Sequence, residues 1–174
     1  MSQGVNITIK AQVVGDYTEA EGVANADAHI NVDQALSFMT GAGVNQADTL
    51  VTQQVALGPS GTETLDLASG LTDALNNAAA FARVKAILLI NTTPASAVGA
   101  GIILAGGASD PFVGPLGGTG PTVTANPGGG IVLLAAPDAA AWAVASGSAC
   151  NVTLTNKSAV YGVTGTLVIL GSAE

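Results

Sequence analysis

Cysteine, histidine, aromatic rings and charge are all scarce in this 174-residue chain, and each scarcity removes a class of function. The one cysteine, Cys150, allows no intrachain disulfide and no thiolate-rich metal site. Charged residues make up 9% of the chain, against roughly 25% in an ordinary domain. Only four are basic: Lys10, Arg83, Lys85 and Lys157. So widely spread, they make no track for phosphates, and the net charge of -8 repels nucleic acid and anionic membrane surfaces alike. The longest apolar runs, at 86–90, 101–108 and 131–137, fall far short of the roughly 20 residues a membrane helix needs. The first ten residues, MSQGVNITIK, lack the basic and apolar stretches of a secretory signal. These absences point to a soluble product assembled inside a cell, with neither nucleic acid nor membrane as partner.

What is present is apolar and small. Hydrophobic residues reach 48%, which excludes a disordered chain. A chain of this length buries roughly 70% of its unfolded surface, enough for one core. The acids are uneven. Asp16, Glu19, Glu21, Asp27, Asp33 and Asp48 fall in the first 48 residues, with Lys10 their only basic counterweight.

Periodicity divides the chain near residue 48. Val5, Ile7 and Ile9 alternate with Asn6, Thr8 and Lys10, which predicts a half-buried strand over 5–14. Residues 15–30 are small, acidic and aperiodic, and read as an exposed loop or arm. Val32, Leu36 and Met39 stand at helical spacing before Gly41 and Gly43, so a short helix is expected over 31–40. Beyond residue 48, short β-like runs recur between Gly, Pro, Asn and Ser: 50–57, 62–67, 83–91, 98–106, 121–127, 130–136, 141–146, 150–156 and 160–170. Residues 83–91 read as a strand buried on both faces at its end. Residues 69–78 read as a helical turn with Leu71 and Leu75 on one side. Short, regularly spaced strands with turn signals are the pattern of an all-β sandwich or barrel, and helical connectors between them are missing. Trp142 shares its period-two face with Val144 and is expected to fill the largest gap in the core.

No constellation of catalytic residues emerges. His29, the only histidine, lies in the acidic segment and reads as an exposed, inert side chain. No G-x-S-x-G elbow exists, and Ser60 is a turn serine. Cys150 reads as a buried structural thiol. Gly99 and Gly101 start a G-x-G-x-x-G pattern, but Leu104 takes the third position and no helix follows. The carboxylates between Asp16 and Asp27, with Asn25 and Thr18, lack the order of a calcium loop and read as solvated. The N-x-S/T triplets at Asn6, Asn91, Asn151 and Asn156 read as turn and strand chemistry rather than glycan sites. No catalytic, cofactor-binding or metal-binding residue is therefore assigned, and an enzyme is not expected.

Five motifs occur in order: FARVKAILLINTT (81–93), LAGGASDPF (104–112), VTANPGG (123–129), LLAAPDAAAWAV (133–144) and VYGVTGTLVILGS (160–172). Over residues 48–172 the chain resembles a family of small virion proteins of tailed bacteriophages. The resemblance implies an antiparallel β-sandwich of jelly-roll topology for residues 48–174. Residues 1–47 fall outside the pattern and are expected to form an N-terminal arm with one strand and a short helix. The implied role is a non-enzymatic structural component of the virion, a capsid decoration, cement or spike-like protein. It would assemble in the bacterial host cytoplasm as a homo-oligomer alongside other virion proteins such as the major capsid protein. A low-charge surface in a soluble chain favours such docking, and the acidic amino-terminal segment favours the outside of the particle. Two alternatives remain at this level: a shell-forming single jelly-roll coat protein, and a carbohydrate-binding sandwich on a tail or fibre with Trp142 as an exposed stacking platform. The shortage of aromatic rings weighs against the second.

Overall fold

The computed structural model describes residues 6–21, 24–118, 120–135 and 141–174. Every regular element among them is a strand: β1 (Ile7–Glu21), β2 (Ala24–Thr40), β3 (Gln46–Ala47), β4 (Thr49–Leu57), β5 (Thr62–Asp66), β6 (Leu71–Thr72), β7 (Ala78–Ala79), β8 (Arg83–Asn91), β9 (Ile102–Gly106), β10 (Thr122–Ala125), β11 (Gly130–Leu134), β12 (Trp142–Ala143), β13 (Asn151–Asn156) and β14 (Val163–Ser172). The protein is all-β, as the turn spacing predicted, and most of its strand pairs are antiparallel.

Two sheets dominate. One has the order β10-β9-β13-β5, the other β11-β8-β14-β4, with β12 also paired to β8. Their inward positions meet in one buried cluster that includes Leu65, Leu104 and Leu154 from the first sheet and Val55, Leu89 and Leu167 from the second. These side chains are aliphatic and of similar size, so they fill the interior at period two along each strand. Ile131, Leu133, Trp142 and Val144 pack against the cluster from its margin.

The amino-terminal region departs from the sequence reading. Residues 15–21 and 24–30 are strand rather than irregular loop, and 31–40 is strand rather than helix. β1 and β2 pair antiparallel along their whole length, from Ile7↔Phe38 to Glu21↔Ala24, and β3 adds a short parallel contact to β2. The spacing of Val32, Leu36 and Met39 was the misleading signal. The period that operates is two, and it leaves Phe38 buried while Met39 is exposed. Long-range pairing with β1 supplies the hydrogen bonds that a helix would otherwise have made, which is how context overrides local spacing.

The other expected helical turn, 69–78, is also absent. β6 and β7 pair across a tight loop in which Asp73 Oδ1 accepts from the backbone N–H of Leu75 and of Asn77, both at 2.8 Å. Leu71 is buried and Leu75 exposed, so they do not share a side. A further correction concerns β8. It is buried on both faces at its start, over Val84–Ile87, rather than at its end, where Ile90 is exposed.

Candidate functional site

The outer faces of the two large sheets differ in chemistry. The four-stranded sheet turns threonines outward. Thr62 and Thr155 hydroxyls pair across β5 and β13 at 3.3 Å, and Thr64 and Thr153 at 3.4 Å. A hydroxyl ladder of this kind is a wet surface. The five-stranded sheet is polar outside only on its β4 side, where Gln54 Nε2 donates to Thr166 Oγ1 at 3.3 Å. Across β8 and β11 its outward positions are aliphatic. Ile90, Val132 and Leu134 are 40%, 45% and 42% exposed, and Leu88 and Val168 beside them are half-buried.

The base of the β1–β2 ribbon covers one end of this aliphatic face. Ile7, Ile9 and Leu36 pack with Phe38 onto Leu50, Ala86 and Leu170. Between ribbon and sheet lies an apolar cavity of about 270 Å³, lined by Ile7, Ile9, Leu88, Val132 and Val168 among others. The cover stops there, and Ile90 and Leu134 continue the face outward.

A charged anchor fixes that cover. The register of β14 against β8 shifts between Leu170 and Gly171, whose partners are Ala86 and Val84. Lys85 is the residue skipped. Such a bulge re-aims its side chain. Fully buried, the Lys85 ammonium donates to the carbonyl oxygens of Gly43 at 2.5 Å and Ala42 at 3.3 Å, in the loop that follows β2. Glycine at 171 is required by the same bulge, because a Cβ there would collide with the Arg83 carbonyl.

The residues singled out in the sequence do not converge. Cys150 is buried, as expected, and its Sγ lies 3.8 Å from Asn151 Oδ1. Burial pushes its thiol above the ordinary value, and the carboxylates of Asp66 and Asp110 add to the effect. The Asp66 carboxyl is held low by hydrogen bonds from the Ser69 hydroxyl, at 2.6 Å, and the Ala68 N–H. Ser60 has a positive φ of 54° in the turn after β4, and its N–H donates to the Ser158 carbonyl. The side chains of His29 and of the acidic stretch Asp16–Asp27 lie outside the described residues, as does the turn at Ala136–Asp138. Among the described residues no group of three or more His, Cys, Asp and Glu is arranged to hold a metal ion. Trp142 lies against the core margin and over Gly114, where an added Cβ would sit 2.7 Å from Trp142 Cβ. Its ring is a packing group rather than an open platform.

A second cleft, of about 370 Å³, opens where β4 and β5 face each other. Gln53 Nε2 donates to Glu63 Oε1 across it at 2.6 Å. That bond joins the two sheets at their edge.

The aliphatic outer face escaped the sequence reading. Its signal was present in residues 130–136, where Val132 and Leu134 are as apolar as Ile131 and Leu133 between them. A strand with one wet face should alternate. No protein-family model, curated protein or solved structure matches the chain.

Proposed function

We propose that the two large sheets form a jelly-roll sandwich and that the protein is a non-enzymatic structural component of a tailed-bacteriophage virion, a capsid decoration, cement or spike-like subunit. The strand order supports the first part. Counting the eight long strands after residue 48 in sequence, the sheets alternate first-eighth-third-sixth and second-seventh-fourth-fifth. That alternation matches the double Greek key of jelly rolls, an architecture common in viral capsid and lectin domains, and so supports this reading.

The observation that carries the functional part is the aliphatic outer face of the five-stranded sheet. Large contiguous apolar surface is rare on monomeric proteins, so an open aliphatic face supports a docking role. Together with the net charge of -8, which disfavours contact with packaged genome, it supports a subunit on the outer side of a protein shell. Its partners are further copies of itself and the major capsid protein.

The test is binding to heads. The full chain is purified and mixed with capsids assembled from the major capsid protein of the virus that encodes it, and the mixture is sedimented. Saturable co-sedimentation at a fixed ratio of copies, persisting at high salt, supports the proposal. Chain that stays in the supernatant at every concentration overturns it.

A further inference from the structure

We propose that the peptide bond between Asp110 and Pro111 is an autocleavage site, at which the Asp110 carboxylate attacks its own main-chain carbonyl and the fold stabilises the oxyanion that forms. The inference stands apart from the virion reading and needs no partner chain.

Three observations meet at this bond. The first is its chemistry. It is the only Asp-Pro step in the sequence. The Asp110 carboxylate is tethered so that attack on its own carbonyl carbon closes a five-membered ring, and tethered attack gains the high effective concentration of intramolecular reactions. The leaving group is the nitrogen of a tertiary amide, which departs as a secondary amine.

The second is the carbonyl. The Asp110 oxygen accepts from the backbone N–H of Cys150 and of Asn151, both at 2.9 Å. Two successive N–H groups converging on one oxygen make the kind of backbone concavity that holds anions. Attack at the carbon puts negative charge on that oxygen, and donors already in place stabilise it without reorganising.

The third is the backbone. Asp110 has a φ of 48°, in the left-handed region where a residue with a side chain stores strain. Its surroundings keep it there. The N–H groups of Gly107 and Phe112, on either side, both donate to the Asn151 carbonyl, at 2.8 and 2.9 Å, and Asn151 Nδ2 donates to the Ser109 carbonyl at 2.8 Å. Phe112 is buried, while Asp110 and Pro111 are only half-buried and open to water.

An Asp110 carboxylate oxygen bonds to the carbonyl carbon, and the carbonyl π pair moves onto the oxygen held by Cys150 and Asn151. The pair returns, the C–N bond breaks, and the Pro111 nitrogen takes a proton from water. Asp110 is left as a cyclic anhydride. Water adds to the anhydride and gives Asp110 two free carboxyl groups. The sum is hydrolysis of one peptide bond by one water. Residues 1–110 and 111–174 remain paired afterwards, because β13 lies between β9 and β5, and β14 between β8 and β4.

Mass spectrometry under denaturing conditions tests this on the full chain. Folded chain is incubated in mildly acidic buffer beside the same chain unfolded in guanidinium chloride. The folded chain should yield 1–110 and 111–174, together one water heavier than the intact chain. Cleavage should be at least about tenfold faster than in the unfolded chain, since a single preorganised oxyanion donor is worth about 10²–10³ in rate. Native size exclusion should not resolve the two pieces. Asp110→Gly, which takes the positive φ without cost, and Pro111→Ala should both stay whole. Folded wild type that stays whole, or that cleaves no faster than the unfolded chain, overturns the proposal and leaves the two N–H groups as a loop clamp. Cleavage at this bond that persists in Asp110→Gly or Pro111→Ala also overturns it.

Discussion

Asn91 and Asn156 end two strands in different sheets and fasten the loops beyond them in the same way. Asn91 Nδ2 donates to the carbonyl oxygens of Ala100 and Ala125, both at 2.9 Å. Asn156 Nδ2 donates to those of Gly58 at 2.8 Å and Tyr161 at 2.7 Å. Two residues on, the N–H of Thr93 and of Ser158 returns to the asparagine Oδ1, at 3.0 and 2.9 Å. The N-x-T and N-x-S triplets at these positions are therefore loop clamps, and both asparagines are buried. One side chain satisfies several carbonyls that the loops would otherwise leave unpaired inside the protein.

The clamp predicts an order of severity. Asn156→Ala takes this donor from the part-buried carbonyls of Gly58 and Tyr161 and should cost about 1–3 kcal/mol. Asn156→Asp keeps the shape but turns a carboxylate oxygen toward those carbonyls, so at neutral pH it should be worse than alanine. Urea unfolding at pH 7 checks both. Asn151→Ala, which loses the exposed bond to the Ser109 carbonyl and the long contact from Cys150 Sγ, should cost less than either.

Lys85 ties ribbon to sheet. Lys85→Met keeps the stem's packing and removes the ammonium that serves the Gly43 and Ala42 carbonyls. Charged hydrogen bonds of this kind contribute about 1.5–3 kcal/mol. The loss should appear first as faster proteolysis and amide exchange over residues 39–47, with the sandwich strands β8 and β14 protected as before. Uniformly faster exchange through β8 and β14 would mean that Lys85 supports the core and not the arm.

Trp142 is a marginal packing residue. Full truncation of a buried Trp costs roughly 3–5 kcal/mol. Because this ring is only partly buried, Trp142→Ala should cost about 2–3 kcal/mol by thermal or urea unfolding. Gly114→Ala should also destabilise, since its methyl would press on Trp142. The double variant should cost only somewhat less than the sum of the two, because removing the ring relieves the contacts with Trp142 Cγ and Cδ1 at 2.8 and 3.0 Å while the closest one, to its Cβ at 2.7 Å, remains.

Two shifted groups give the pH dependence opposite limbs. The raised Cys150 thiol means that the folded state holds this proton more tightly than the unfolded chain does. Its contribution is whole below the ordinary thiol range and is lost as pH rises above about 9. Asp66 is lowered, so its contribution is present above the ordinary carboxyl range and is lost as pH falls through the folded value. Cys150→Ala should flatten the alkaline limb of a stability profile and, by removing the thiol's hydrogen bond to Asp66, weaken the acid limb slightly. Asp66→Asn should remove the acid limb and lessen the alkaline one, since the Asp66 carboxylate is among the causes that raise the thiol.

The large sheets were legible because their strands carry their own signals. Residues 62–66 and 151–156 show period two and 102–106 form a short apolar run, each between Gly, Pro or Asn stops, and the turns decide where each strand ends. The arm was not legible, because a strand such as β2 is specified by its partner. Nothing local tells 31–40 that β1 will lie beside it, and the acids at 16–27 read as solvent-seeking whether the backbone is paired or free. The aliphatic outer face was hidden for a related reason. The continuous run Ile131–Leu134 announces a strand buried on both sides, but not what covers the second side. Lys85 was invisible as an anchor, since a lysine inside a strand normally points to water, and only the bulge at Gly171 turns it toward Gly43. Asn91 and Asn156 were noticed as N-x-S/T triplets, yet their buried bonds depend on loops distant in sequence.

The most direct test of the central claim is an electron cryo-microscopy reconstruction of heads carrying the bound chain. The account predicts repeated density on the outer surface into which the two four-strand orders fit as a sandwich, with the β4 to β14 core intact and the aliphatic face of β8 and β11 covered by protein. Heads whose outer surface carries no such density at full occupancy, or density that leaves Ile90, Val132 and Leu134 facing solvent, would contradict it.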